Sequence, residues 1–272
     1  MSKLKIWQEE TPWEVSEKLW DDGAKTAANE VSLKKLNKLP SMPGMTKETA
    51  KHLKWKSLKW IITKDSDFKI IKGFLKNPLK YGRALLKSIL KKKPFIRDGD
   101  FFLYGVSSLD EFTMLIENKE AWLVVGFSYC HKPFECPSGR FTDQCTHSPE
   151  HPVCRQCFIG KCANALPHHN VVPLFIPTIH YIGGKILDLM DSNPNKQILF
   201  LITACEMTLE MFGDLGNMAN IKGVGVRLDG RICNTMKAFE LSEQGIKPGL
   251  TVVTEPTQKT MLNLIRHRRE HS

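Results

Sequence analysis

Long apolar runs are missing from this sequence. No stretch approaches the about 18 uninterrupted apolar residues of a membrane-crossing helix. The opening residues, MSKLKIWQEETPWEVSEKLW, lack the apolar segment of a secretory leader. Both absences lead to the expectation of a cytoplasmic protein in a reducing compartment, where clustered cysteines serve as metal ligands or redox groups more often than as disulfides. Walker A and dinucleotide fingerprints are missing too. The nearest approach is YIGGK (residues 181–185), and a tight glycine turn opening a helix explains it better than a phosphate cradle does. Neither a zinc-finger CxxC…HxxxH arrangement nor a pair of CxxC motifs occurs.

What is present is uneven. The chain of 272 residues carries a formal charge of +10, yet residues 51–93 alone hold thirteen lysines and Arg83 against Asp65 and Asp67. That segment therefore carries +12, and the remainder is slightly acidic. Its basic and apolar residues alternate at near-helical spacing, so Leu75, Leu79, Leu86, Ile89 and Leu90 can form a stripe with lysines opposite. A solvated helical face is one reading. A peripheral contact with an anionic membrane through residues 51–93, at the inner face, or with an acidic partner protein is another; nucleic acid is the least favoured partner. Tryptophans at 55 and 60 and Phe74, beside lysines, suit an interfacial anchor and a packed helix equally.

Residues 1–100 read as a polar to basic, mainly helical region, with Thr46 as an N-cap after the break LPSMPGM. Residues 101–255 read as a cysteine-rich α/β domain. Strand candidates at 121–130, 170–178, 196–205, 221–233 and 249–253 alternate with helical stretches, which predicts a mostly parallel open sheet. Residues 256–272 read as a basic C-terminal helix or tail with a frayed end.

All eight cysteines lie between 130 and 233. Cys130 and Cys205 fall at the ends of proposed strands and Cys233 shortly after another, so the three should share the carboxyl edge of the sheet, where ligands of such sheets bind. Cys136, Cys145, Cys154, Cys157 and Cys162 lie in a stretch, 130–165, with four prolines and little regular pattern. An unstructured loop of roughly 35 residues needs an organiser, and thiolate ligation of a metal supplies one. Irregular spacings favour a site assembled from loop and strand tips, with Cys154 and Cys157 joining Cys205 and Cys233. Iron–sulfur and zinc both fit thiolate ligands. Six histidines crowd the region, and His151, three residues before Cys154, is the first of them to consider as a ligand. Glu206 and Asn234, each beside a candidate ligand, are expected to hydrogen-bond around the cofactor. A thioredoxin-like role for CRQC is weaker, because no strand leads into it.

Three local patterns, CRQCFIG (154–160), the strand ending Ala204-Cys205-Glu206, and Cys233-Asn234-Thr235 after a strand, occur in one order and spacing. Over about residues 130–240 the chain thereby resembles the bacterial and archaeal family known as domain of unknown function 116. The resemblance implies a cysteine-rich metal protein, of iron–sulfur type, with no established reaction; the expectation drawn here is an electron-transfer or redox and sulfur-chemistry role with a redox partner protein. In that family a further cysteine often stands three residues before the pair, where this chain has His151, so Cys145, Cys162 or His151 would complete the ligand set. The competing expectation is a zinc-stabilised binding module that docks through its basic N-terminal region.

Overall fold

The run ILFLITA is apolar at nearly every position, and a strand of that composition is stable only where both faces of its sheet are covered. It lies inside a six-stranded sheet. The computed structural model describes residues 6–8, 10–35, 44–51, 53–65, 68–76, 78–79, 82–83, 86, 94–218 and 222–272. Its strands are β1 (Ile96–Asp98), β2 (Phe101–Tyr104), β3 (Trp122–Ser128), β4 (Val171–Ile176), β5 (Ile198–Ala204) and β6 (Lys222–Arg227), in the spatial order β1-β2-β6-β5-β3-β4. β3 pairs in parallel with β4 and β5, and β5 in parallel with β6. β2 runs antiparallel to β1 and β6. The protein is thus α/β with a mostly parallel sheet. The fifth strand candidate, near 250, stays outside that sheet: β7 (Asp229–Gly230) and β8 (Thr251–Val252) form a separate antiparallel pair. The β1–β2 hairpin had no sequence signal, because three exposed residues and a turn offer no alternation to read.

Helices cover both faces. They are α1 (Trp13–Glu30), α2 (Lys47–Ala50), α3 (Leu53–Lys64), α4 (Lys69–Lys76), α5 (Leu109–Ile116), α6 (Pro152–Gln156), α7 (Phe158–Ala165), α8 (Ile179–Ser192), α9 (Glu206–Met218), α10 (Met236–Ser242) and α11 (Glu255–Glu270). Alternate strand residues face opposite ways. Leu123, Val125, Leu199 and Leu201 pack with Trp7, Trp13 and Trp20, with α5 and with α11. Val124, Phe200 and Ile202 pack with Ile182 and Ile186 of α8 and with Leu209 and Phe212 of α9. Thr46 caps α2, its hydroxyl accepting from the N–H of Thr49 at 3.2 Å.

Three expectations change. Gly183 and Gly184 do not form a turn but lie inside α8, whose start is fixed by the Thr178 hydroxyl accepting from the N–H of Tyr181 at 3.1 Å. The stretch 130–165 is not irregular throughout, since α6 and α7 occupy 152–165; a proline at the first position of a five-residue helix disguised it. Of the stripe in the basic segment, Leu75, Leu79 and Leu86 are exposed, while Ile89 and Leu90 lie outside the described residues. Among the described residues no helix is long and apolar enough to cross a membrane.

The basic C-terminal stretch is anchored as well as helical. Arg268 has 0% exposure, and its guanidinium donates to the carbonyls of Ile116, Asn118 and Ala121 at 3.0, 2.7 and 3.0 Å. Arg268→Met should leave these acceptors unpaired and lower the unfolding free energy by about 2–4 kcal/mol. The effect is read as a lower denaturant midpoint at unchanged slope; an unchanged midpoint would show that solvent reaches these carbonyls.

Candidate functional site: two groups of cysteines

The connection leaving β3 leads to β4 on one side, and that leaving β5 leads to β6 on the other. A crevice therefore opens outside the carboxyl ends of β3 and β5, the switch point where ligands of open parallel sheets bind. Cys130, in a 3₁₀ turn directly after β3, and Cys205, the residue after β5, both stand there. Cys233 reaches the same place through the chain after β7. The three strand-tip cysteines are brought together as expected. The Cys205 and Cys233 thiols are hydrogen-bonded to one another, and Cys130 is near enough to act electrostatically on both. The Lys247 ammonium donates to Cys233 Sγ at 3.2 Å. The hydrogen bond with Cys205 and, after it, Lys247 hold the Cys233 thiol below its ordinary range, against its burial. The same bond and burial push Cys205 well up. Glu243, whose carboxylate accepts from the N–H of Ile179 at 3.0 Å, is raised to about 7 by burial. A cavity of ≈ 50 Å³ adjoins the group, lined by Cys130, Thr203, Cys205, Cys233 and Glu243 among others.

Cys154 and Cys157 do not join this group. The thiols that act on them belong to the loop: Cys136 on Cys154, and Cys145 and Cys136 on Cys157. Cys145 in turn feels Cys136 and Cys154. Burial raises the Cys145 thiol to about 11 and the Cys157 thiol to about 12, with the N–H groups of Gly160 and Ile159 offsetting part of the latter. Gly160, the glycine of CRQCFIG, is required by a close approach: a Cβ there would stand 2.2 Å from the carbonyl oxygen of Cys154. Cys162 sits behind the quartet with 0% exposure in the apolar core, where a small hydrophobe belongs.

Two cations that sequence reasoning missed organise the loop. Lys132 is 1% exposed, and its ammonium donates to the carbonyls of Gly139, Thr142 and Gln144 at 3.2, 2.9 and 2.7 Å. Burial pulls its pKa down, while Cys136 and Cys145 push it up. Arg140 donates to the carbonyls of Lys132 and Cys130, and to those of Lys247 and Gly249, so it ties the loop to the segment carrying Lys247. A lone lysine in CHKPF gives no pattern by which to find it.

The remaining candidates lie nearby without converging on a sulfur. His151 caps α6, its Nδ1 accepting from the N–H of Val153 at 3.2 Å. Glu206 opens α9 and pairs with Arg97 at 2.5 Å. The Asn234 carbonyl accepts from the N–H of Thr46 at 3.0 Å. That last bond seats the N-terminal segment on the strand tips, where Met45, Leu53 and Trp60 pack around Cys205 and Cys233. The basic and cysteine-bearing segments, far apart in sequence, meet here. Among the described residues only Glu117, His267 and His271, at the surface, bring three His, Cys, Asp or Glu ligand atoms within 4.8 Å of one another. No three cysteine sulfurs all lie within 4.8 Å of one another among the described residues.

No family model, curated protein or solved structure matches the chain.

His131, beside Cys130, is buried, and burial lowers its pKa to about 4 from 6.5. The unfolded chain then binds the extra proton between these values, so His131 contributes stability above pH 6.5 that is lost as the pH falls towards 4. The contribution is roughly 3 kcal/mol at most. Denaturant titrations across that window should show a shallower decline for His131→Leu than for the parent; parallel curves would place the imidazole in contact with solvent.

Proposed function

We propose that Cys136, Cys145, Cys154 and Cys157 hold an iron–sulfur cluster of the [4Fe–4S] type and that the protein passes electrons through it to or from a redox partner. The carrying observation is the Lys132 ammonium, buried among these thiols and hydrogen-bonded only to carbonyl and hydroxyl oxygens. Asp143 acts on this cation from beyond ion-pair distance, and a buried cation without a close ionised partner is costly. Four thiolates around iron or zinc carry net negative charge and would balance it. Donors directed at the sulfurs, Thr146 Oγ1 at 3.8 Å from Cys154 Sγ and the N–H groups near Cys157, are the contacts that tune cluster potentials. The cluster would supply one-electron chemistry; the chain's own residues would hold and insulate it. The resemblance of CRQCFIG, the strand end Ala204-Cys205-Glu206 and Cys233-Asn234-Thr235 to the domain of unknown function 116 family points to the same reading.

The test is anaerobic purification with iron, zinc and sulfide analysis and a visible spectrum. Iron and sulfide in equal amounts, lost in Cys154→Ala and Cys157→Ala but kept in Cys162→Ala, are the expected result. Colourless protein with one zinc per chain would overturn it.

That second outcome belongs to the competing reading, a zinc-stabilised module docking on anionic membrane. It is favoured by the exposed side chains of Trp55, Phe68, Leu75 and Leu79 in the lysine-rich segment, Trp55 at 63% exposure and Leu79 at 78%. Full-length protein should then sediment with vesicles containing phosphatidylserine and be released by salt, and Trp55→Ala should weaken binding several-fold; equal sedimentation with neutral vesicles would refute the electrostatic part.

A further inference from the structure

We propose that Cys205 and Cys233 form a redox-active dithiol that reduces disulfide bonds, with Lys247 stabilising the attacking sulfur of Cys233. This inference is independent of whether the loop quartet holds a cluster. It rests on three features of one place. The two thiols face the same cavity within one packed cluster and act on one another directly. They stand at the switch-point crevice of the sheet, beside a cavity. An ammonium lies 3.2 Å from one of the two sulfurs. Cysteines buried as small hydrophobes need no charged neighbour, and a cation beside a thiol is what makes it a nucleophile. The partner sulfur, Cys205, instead contacts the Thr208 hydroxyl at 3.2 Å. The pair is unequal, as an attacking and a resolving thiol must be.

In the reaction, the Cys233 thiolate attacks one sulfur of R–S–S–R; the S–S bond breaks, and RS⁻ leaves and takes a proton from water. The Cys205 thiol gives its proton to solvent and attacks Cys233 Sγ, expelling the second RS⁻. Two protein thiols become one disulfide while one substrate disulfide becomes two thiols, so two electrons pass to the substrate. Excess dithiothreitol then reduces the protein disulfide back to the dithiol, itself becoming the cyclic disulfide. Cys233 is 2% exposed beneath Met45, Leu53 and Trp60, so the substrate enters by displacing this cover. The chemistry recognised is the S–S bond itself, carried by a small thiol compound or by a polypeptide.

The test equilibrates the full-length protein, purified anaerobically, in glutathione redox buffers, then blocks free thiols and maps disulfides by peptide mass spectrometry. A reversible Cys205–Cys233 disulfide is expected. Cys205→Ser should accumulate a glutathione adduct on Cys233, and Cys233→Ser none on Cys205. Lys247→Met should slow adduct formation about tenfold, with Lys247→Arg close to the parent. Parallel assays with glutathione disulfide and with insulin support the proposal if either is reduced, and show which kind of disulfide is preferred. Absence of the Cys205–Cys233 disulfide from the parent protein at the most oxidising ratio would overturn the proposal, with no variant required. So would loss of bound metal in Cys205→Ser and Cys233→Ser when Cys154→Ala keeps that metal, because the strand-tip thiols would then be ligands.

Discussion

Parallel pairing is the constraint from which the rest of this molecule follows. Once β3 lies between β4 and β5, with β6 beyond, the four carboxyl ends share one edge and two connections depart in opposite directions. Residues directly after those strands have no further ladder to join, so they turn into the crevice between the departing chains. Cys130 and Cys205 are such residues, and Cys233 is delivered there by the short β7–β8 ladder. Antiparallel neighbours would have sent these thiols to opposite ends of the sheet.

The loop obeys a different rule. Its backbone cannot satisfy its own carbonyls by secondary structure, and a buried carbonyl without a donor is expensive. Lys132 and Arg140 meet that requirement by collecting carbonyls from 130 to 144 and from 247 to 249. The polar framework that shapes the loop is thus built from cations, and it lies against Cys136, Cys145 and Cys157, thiols that would become anions on the proposed binding of iron. Shape and charge are supplied by the same two side chains.

The strands were legible in the sequence because continuous β-branched and aromatic runs such as AWLVVGF and ILFLITA have few other uses, and the strand-tip cysteines followed from them. The partition of the cysteines was not. Spacing along a chain does not report which way a loop folds back, and the loop that brings Cys136 towards Cys154 is shaped by contacts that the sequence spells only as a lysine and an arginine. His151 looked like a ligand because it precedes Cys154 by three, yet a residue three before a helical position is also where a cap sits. Lys247 lies fourteen residues beyond its sulfur in a stretch of turns, with nothing around it to mark it. The roof of Met45, Leu53 and Trp60 was hidden for another reason: lysines dominated the reading of that segment, and its few inward-facing residues did not.

The anchoring of Arg268 has a consequence for how the chain reaches this structure. Its guanidinium closes on carbonyls of residues 116–121, about 150 positions earlier in the chain. During synthesis those carbonyls emerge long before their donor does, and contacts of such separation form late. The turn leading into β3 therefore waits for α11, and Cys130, directly after that strand, follows a segment whose start is fastened only when this helix has docked.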